Sequence, residues 1–469
     1  MIIYQSSKEK FIDSVLGGRI DEILIDFYFK ATRKHVSPAE QDAWKKSMRY
    51  MRDLLDDPEI PSDAGVSIEY QIPLTSKRID FVLTGKDETQ ADHAVLIELK
   101  QWSEVQLSEK DGIVNTDFFG EVSHPSYQVW TYCILLENFC EAVEKEKIEL
   151  NPCAYLHNYI EDNVIKNAIY SDYLLKAPVF LEGDREKEKL RTFIKRFVKY
   201  GDTTEVMYRI DHGRLRPSKS LTDSLGKMLE GNKEFYMIDD QKVVYETALF
   251  LLNKSSAKKK NVFLVQGGPG TGKSVVAVNL LVEALNRGYL AQYVTKNAAP
   301  RAVYESLLTG TFKKTKIANL FSGSGSFTNV ERNLFDVLIV DEAHRLNEKS
   351  GLFGNLGENQ IKELIEASKF TVFFIDENQR VTWKDIGEEG EIKKWAKRLG
   401  ADVCSLELTS QFRCNGSDGY LAWLDNALQI KETANVFLEK DSYDFQIFDS
   451  PVELRDLIIK KIAKQIRHG

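Results

Sequence analysis

"NVFLVQGGPGTGKSVVAVNLLVEALNRG", residues 261–288, decides the fold of the second half of the chain. Its first six residues centre on the apolar, β-favouring run Val262–Val265, suited to a buried strand. Its last fourteen, "VVAVNLLVEALNRG", carry a helical spacing of apolar residues and end at Gly288. Between them "GGPGTGKS" (267–274) fits G-x-x-x-x-G-K-[ST] in the strand–loop–helix setting that pattern requires. Gly267, Gly270 and Gly272 let the loop, with Thr271, turn its N–H groups onto phosphate oxygens without side chains in the way. The helix start beyond adds a dipole that favours anions. Lys273 is expected to reach the β- and γ-phosphates, and Ser274 to hold a magnesium ion.

Outward from this loop, "FDVLIVDEAHR" (335–345) ends an apolar strand in two acids. Asp341 is placed to hold the magnesium on Ser274, and Glu342 to orient or deprotonate an attacking water. Further short apolar runs, "LAQYVT" (290–295), "FTVFFID" (370–376) and "CSLELT" (404–409), are separated by helical stretches. Strands alternating with helices predict a parallel, doubly wound sheet. An NTP-hydrolysing site is the expectation.

The order "IDDQ" (238–241), "GGPGTGKS", "DEAHR" (341–345), "IDENQR" (375–380) and "LTSQFRC" (408–414) resembles the first RecA-like half of a superfamily-one helicase. Within that group it is most similar to bacterial relatives of the Schlafen helicase domain, over about residues 236–415. The resemblance implies a RecA-like P-loop NTPase using ATP and Mg²⁺. It implies that Gln241 reads the adenine, that Gln379 senses the γ-phosphate and that Arg413 reaches it from the domain junction. It also places "TKNAAPRA" (295–302) where such proteins touch the strand they travel on. After Arg413 only 56 residues remain (469 − 413), fewer than the roughly 100 a further domain needs. A glycine-rich "QG-x-E"-like segment and a second arginine are also missing. The expectation is an incomplete second helicase domain, either because the chain is truncated or because a protein partner or a second copy completes it.

The first third holds another pattern. "SPAE" (37–40) reads as a capping box opening a helix to about Leu55. Strand-like runs follow at 66–74, 78–84 and 93–100, then a helix from about Tyr127 to Val143. "VLIELKQW" (95–102) is a buried strand whose far end presents Glu98 and Lys100, two apart and so on one face. Asp80, in "RIDFVL", stands on a strand able to pair beside it. Two carboxylates on adjacent strands suit a hard cation such as Mg²⁺ (or Mn²⁺), and a lysine beside them can hold or deprotonate a water. "QVWTY" puts Gln128 and Tyr132 four apart, on one helix face. D…E-x-K followed by Q-x-x-x-Y is similar to the RecB-like branch of the PD-(D/E)xK nucleases, with Ile79 where the pattern has proline. That resemblance implies a restriction-endonuclease-like α/β nuclease core. In it Asp80 and Glu98 bind metal, Lys100 is catalytic, and Gln128 and Tyr132 shape the site. Glu40 and Glu69 are further acids nearby, and neither is assigned.

The expected organisation is a nuclease domain over 1–175, a connector over 176–235, a RecA-like ATPase domain over 236–403 and the start of a second helicase domain over 404–469. Composition agrees with a globular protein: 43% hydrophobic, 29% charged. No run of about 18 apolar residues is present, so membrane association is not expected and a cytoplasmic site is. The net charge of −8 argues against indiscriminate coating of nucleic acid but leaves room for a local basic channel. Basic clusters occur at 209–219, 254–260 and 312–316, and each reads more readily as a solvated loop than as a phosphate track. Five scattered cysteines (Cys133, Cys140, Cys153, Cys404, Cys414) lack the spacing of a zinc or iron–sulfur site and read as reduced thiols. Trp44, Trp102, Trp130 and Trp383 read as core residues. The function expected is a metal-dependent nuclease coupled to a helicase-like ATPase on DNA, serving anti-phage defence or DNA repair, and nothing in the sequence sets RNA aside. The rival readings are an ATP-gated nuclease without strand separation and a non-cutting nucleic-acid-binding scaffold.

Overall fold

The computed structural model describes residues 2–32, 35–73, 75–214, 224, 227–229, 232, 235–308, 320–351, 354–410, 412, 418–430 and 445–466. Arg413 and Cys414, the cluster at 312–316 and part of that at 209–219 lie outside them. In chain order the strands are β1 (Ile2–Ser7), β2 (Gly65–Gln71), β3 (Arg78–Lys86), β4 (Asp92–Lys100), β5 (Val105–Leu107), β6 (Ile113–Thr116), β7 (Gly120–Ser123), β8 (Glu149–Leu156) and β9 (Val179–Leu181), then β10 (Asn261–Gly267), β11 (Ala291–Thr295), β12 (Phe321–Ser322), β13 (Phe335–Asp341), β14 (Ser368–Ile375) and β15 (Asp402–Leu408).

The first sheet has the order β1-β2-β3-β4-β8-β9. β1 to β4 form an antiparallel meander, and β8 and β9 add parallel to β4. Helix Pro38–Leu55, capped by Ser37 Oγ accepting from the Glu40 N–H at 3.2 Å, covers one face. Its Met48, Met51 and Leu55 pack with Phe81, Leu83, Val95 and Ile97. Helix Pro125–Phe139 covers the other, where Val129, Tyr132 and Leu136 meet Val82, Ala94 and Leu96. Burial on both faces explains why β4 reads as an unbroken apolar run rather than an alternating one.

Two expected borders fall inside layers. β9 and the helix Asp184–Phe197 lie beyond 175 yet belong to the first sheet and its core, and Val206, Met207 and Ile210 pack there too. Their apolar residues are too few to form a core alone, so the expected connector is largely part of the first module. β15 likewise crosses the border at 403/404, because it pairs with β10 along its whole length.

The second sheet has the order β12-β11-β13-β14-β10-β15 with every pairing parallel. β14 separates β10, which feeds the glycine-rich loop, from β13, which ends in Asp341. β5, β6 and β7 form a small antiparallel sheet. Residues Met1–Gly416 make one compact unit and Ser417–Gly469 another. The second contains helices Asp418–Ala427 and Pro451–Ile466, with the Trp423 ring edge-on to Phe445 at 5.0 Å. Among the described residues no helix is long and apolar enough to cross a membrane.

Candidate functional site

At the end of β4, Glu98 is 3% exposed. Its Oε1 accepts from Lys100 Nζ at 2.7 Å, while Oε2 is buried with no hydrogen-bond partner among the described residues. The β3–β4 ladder reaches Phe81–Ile97. Past that pair Asp80 takes over, its Oδ2 accepting the Leu99 N–H at 2.7 Å. Burial pushes both carboxyls up from their usual range, Asp80's charge adds to the effect at Glu98, and Lys100 opposes it at both. Burial also disfavours the Lys100 ammonium, but Glu98 and Asp80 outweigh it and hold the lysine protonated.

The regular pleat is interrupted here. Glu69 sits at φ +55°, and the alternation changes phase around it: Ile68 and Phe81 belong to one core, Tyr70 and Ile79 to the other. Glu69 is buried, with Trp44 Nε1 donating to Oε1 at 2.8 Å and Arg78 to Oε2 at 3.3 Å. Glu40, 3.8 Å from Arg78 and 40% exposed, lines the same cavity from the helix nearer solvent. A cavity of about 500 Å³ is lined by Glu69, Asp80, Lys100, Trp102, Phe118 and Phe119. The last two rings, at the β6–β7 turn, are 90% and 72% exposed.

Gln128 and Tyr132 sit on the helix beside β4, Gln128 Nε2 donating to the Tyr132 hydroxyl at 2.9 Å. With Lys100 and Lys77, Gln128 lines a second cavity of about 430 Å³. Its far wall is Asp239 and Asp240, from the second half of the chain. Tyr132 donates to Asp239 Oδ2 at 2.8 Å, and Lys77 pairs with the same oxygen at 2.9 Å. Sequence reading missed Asp239 and Lys77. The only signal was the unused first acid of "IDDQ", and its partner Tyr132 lies 107 residues away.

The glycine-rich loop joins β10 to helix Lys273–Asn286. Lys273 Nζ donates to the carbonyls of Gly267 at 2.5 Å and Gly268 at 2.8 Å. Ser274 Oγ donates to Asp341 Oδ2 at 2.7 Å, and the Tyr293 hydroxyl to the same oxygen at 2.5 Å. Gln241 is buried, its Nε2 donating to the Thr271 carbonyl at 3.1 Å. Gly272, at φ +85°, admits it: a Cβ there would lie 2.2 Å from Gln241 Nε2. Glu342 stands at φ +52°, in the left-handed region that non-glycine residues enter at a cost, often at functional sites. Burial and the charge of Asp341 push its carboxyl up, while Asn297 donates to it. Gln379 is exposed on the turn Glu377–Gln379 after β14, at the same C-terminal end of the parallel strands as the phosphate loop.

Among the described residues no three His, Cys, Asp or Glu side chains gather as a metal-binding group. Mg²⁺ needs only one or two carboxylates plus waters and phosphate oxygens. Asp80 and Glu98, with the unpartnered Oε2, fit that need at one site, and Ser274 with Asp341 fits it at the other.

Several expectations change. Trp383, expected in the core, is fully exposed. Lys260, of the basic cluster 254–260, caps the opposite end of the sheet, donating to the carbonyls of Ile365, Glu366 and Ser368. Arg209 is spent on Asp92 and Glu146. Cys133, Cys140 and Cys153 are buried, and Cys404 is half-buried.

A family model for the Schlafen group 3 DNA/RNA helicase domain matches residues 260–468. The second half is helicase-like. An uncharacterized protein of Saccharomyces cerevisiae is 26% identical over 192 residues, 37% of this chain and 42% of that protein. The match thus spans about two-fifths of the relative's length. Solved structures with partial overlap include a DNA replication initiation factor (18% identity, 50% of this chain and 63% of that one, TM-score 0.23). Others are the replication initiator DnaA bound to AMPPCP and single-stranded DNA (18%, 42% and 53%, TM-score 0.21) and the Pyrococcus furiosus Hef helicase domain (15%, 35% and 37%, TM-score 0.21). Scores this low bear on neither fold nor function.

Proposed function

We propose that the chain is a metal-dependent nuclease joined to an ATP-hydrolysing, helicase-like domain acting on DNA, in defence against foreign DNA or in repair. The observation that carries the nuclease reading is the buried group Asp80–Glu98–Lys100, with a carboxylate oxygen that no donor among the described residues satisfies. A divalent cation on Asp80 and Glu98 would supply positive charge to the scissile phosphate and a more acidic water. Lys100 Nζ, held protonated by the two acids, steadies charge gathering on the phosphate oxygens. Gln128 and Tyr132 fix the wall opposite. The rings of Phe118 and Phe119 at the cavity mouth offer faces on which unpaired bases stack.

On the second half, the loop from Gly267 to Ser274 would hold the phosphates, with Lys273 on their charge and Ser274 and Asp341 on magnesium. Glu342, its carboxyl raised, is suited to accept a proton from water. Gln241 beside the loop is placed to read the base. Gln379 and Arg413 keep the γ-phosphate roles that the helicase resemblance implies.

Cleavage of linear and circular DNA by the full chain in Mg²⁺, beside Asp80→Ala, tests the first half. The parent should cut and the variant lose at least a hundredfold in rate; equal cutting by both places the nuclease elsewhere. For the second half, Lys273→Ala should lower ATP turnover roughly a hundredfold, about 2.7 kcal/mol of transition-state stabilisation, with an unchanged circular dichroism spectrum. Turnover near the parent's would remove the loop from the mechanism.

A further inference from the structure

We infer that Asp239 is a positioning residue of the nuclease site supplied by the ATPase half, and that residues 238–241 couple nucleotide binding to the cleavage residues. This rests on the nuclease reading above and names the regulation of that site.

Three consecutive side chains reach three functional elements. Asp239 Oδ2 accepts from Tyr132 at 2.8 Å and pairs with Lys77 at 2.9 Å, on the cavity that Lys100 and Gln128 also line. Its Oδ1 is buried with no hydrogen-bond partner among the described residues. Asp240 accepts the N–H groups of Thr409 and Ser410, at 2.6 and 2.9 Å, where the chain leaves β15. Gln241 donates to Thr271 in the phosphate loop at 3.1 Å and lies against Gly272. Neighbouring Cα atoms are 3.8 Å apart, so a displacement of about 1 Å at Gln241 has little chain in which to dissipate before Asp239.

The segment is held from both sides. Tyr127 donates to the Met237 carbonyl at 2.6 Å, and Ser123 Oγ to that of Asp239 at 3.3 Å. Ile238 is buried in the apolar cluster that contains Ile79 and Tyr132, and Phe412 packs against that cluster. Phe412 in turn donates its N–H to the Gly270 carbonyl of the phosphate loop at 2.9 Å. Asp239 itself takes φ +45°, ψ −114°, a backbone conformation that L-residues rarely hold unless their surroundings impose it. A group clamped in that way has few intermediate positions, which suits an element with two arrangements rather than a soft hinge. Coupling of this kind is reciprocal and typically amounts to 5- to 150-fold in affinity, on the order of what two or three hydrogen bonds can bias.

The test uses the full chain and Mn²⁺ as the probe. Titration calorimetry on the parent and on Glu98→Gln isolates the Glu98-dependent part of the Mn²⁺ isotherm. That part is measured with and without a nonhydrolysable ATP analogue, and cleavage rates are taken in parallel. In the parent, the analogue should change both Mn²⁺ affinity and cleavage at least fivefold. Asp239→Asn keeps the shape and removes the charge, and it should bring both ratios to about one. Lys77→Gln, altering Asp239's partner without touching the ATPase half, should reduce the ratios in the same direction. Ratios of one in the parent, or parental ratios in Asp239→Asn, overturn the inference while leaving the nuclease intact. Absence of any Glu98-dependent Mn²⁺ binding or cutting overturns the nuclease reading itself, and the inference with it.

Discussion

His124 caps the helix that carries Gln128 and Tyr132. Its Nδ1 accepts the Ser126 N–H at 3.2 Å, which leaves the ring proton on Nε2, donated to the Ile165 carbonyl at 2.9 Å. The Nδ1 bond requires a neutral ring, and burial, outweighing the Ile165 carbonyl that favours the charged form, pulls its pKa down to about 4. The unfolded chain takes up a proton near pH 6.5 that the folded chain refuses. The stabilisation is therefore full above pH 6.5 and is lost as pH falls towards 4, by about 3 kcal/mol at most. His157 and His344, both also lowered to about 4 by burial, act with the same sign. Asp80 and Glu98, raised by burial, act with the opposite sign. The His124 share is read by difference: between pH 7 and pH 5 the urea midpoint of His124→Gln should lose less, or gain more, than the parent's. A variant whose midpoint follows the parent's across that range would contradict the account.

The β6–β7 turn belongs to the scale of elements. Phe118 and Phe119 are large apolar rings left in water by a three-stranded sheet too small to bury them. Base–aromatic stacking contributes about 1–3 kcal/mol per base. Replacing both by alanine should weaken binding of single-stranded DNA by tenfold or more while changing duplex binding little; equal losses on both would make the turn a structural loop. Elements were also what the sequence disclosed best. Strand β10, the loop and the helix after it were legible because their pattern is local and every position in it has a backbone reason. That Glu98 and Lys100 share a face was legible through strand parity, and that Asp80 stands beside them through the pairing of neighbouring strands. The phase change at Glu69 was not, because a glutamate at φ +55° looks in sequence like any strand glutamate. Trp383 was misread because burial of an aromatic ring depends on what the fold brings to it.

At the scale of the whole molecule, the two sheets share more than a linker. Met237 to Gln241 and Phe412 sit against the first half while anchoring the second. These contacts join residues more than 100 positions apart, and one sequence carries no record of such pairings. A fragment ending at residue 235 should therefore melt lower, and aggregate more, than one ending at residue 241. Identical melting of the two would mean that the segment only rests on the surface. The acid–lysine contact between Asp239 and Lys77 then has a practical meaning for anyone who rebuilds such proteins. The front half is not a cassette: transplanted onto another helicase-like domain without the "MIDDQ" stretch, it would arrive with a lysine lacking its counter-charge and a tyrosine lacking its acceptor. The boundary at which the gene can be cut lies several residues inside what looks like the neighbour's territory.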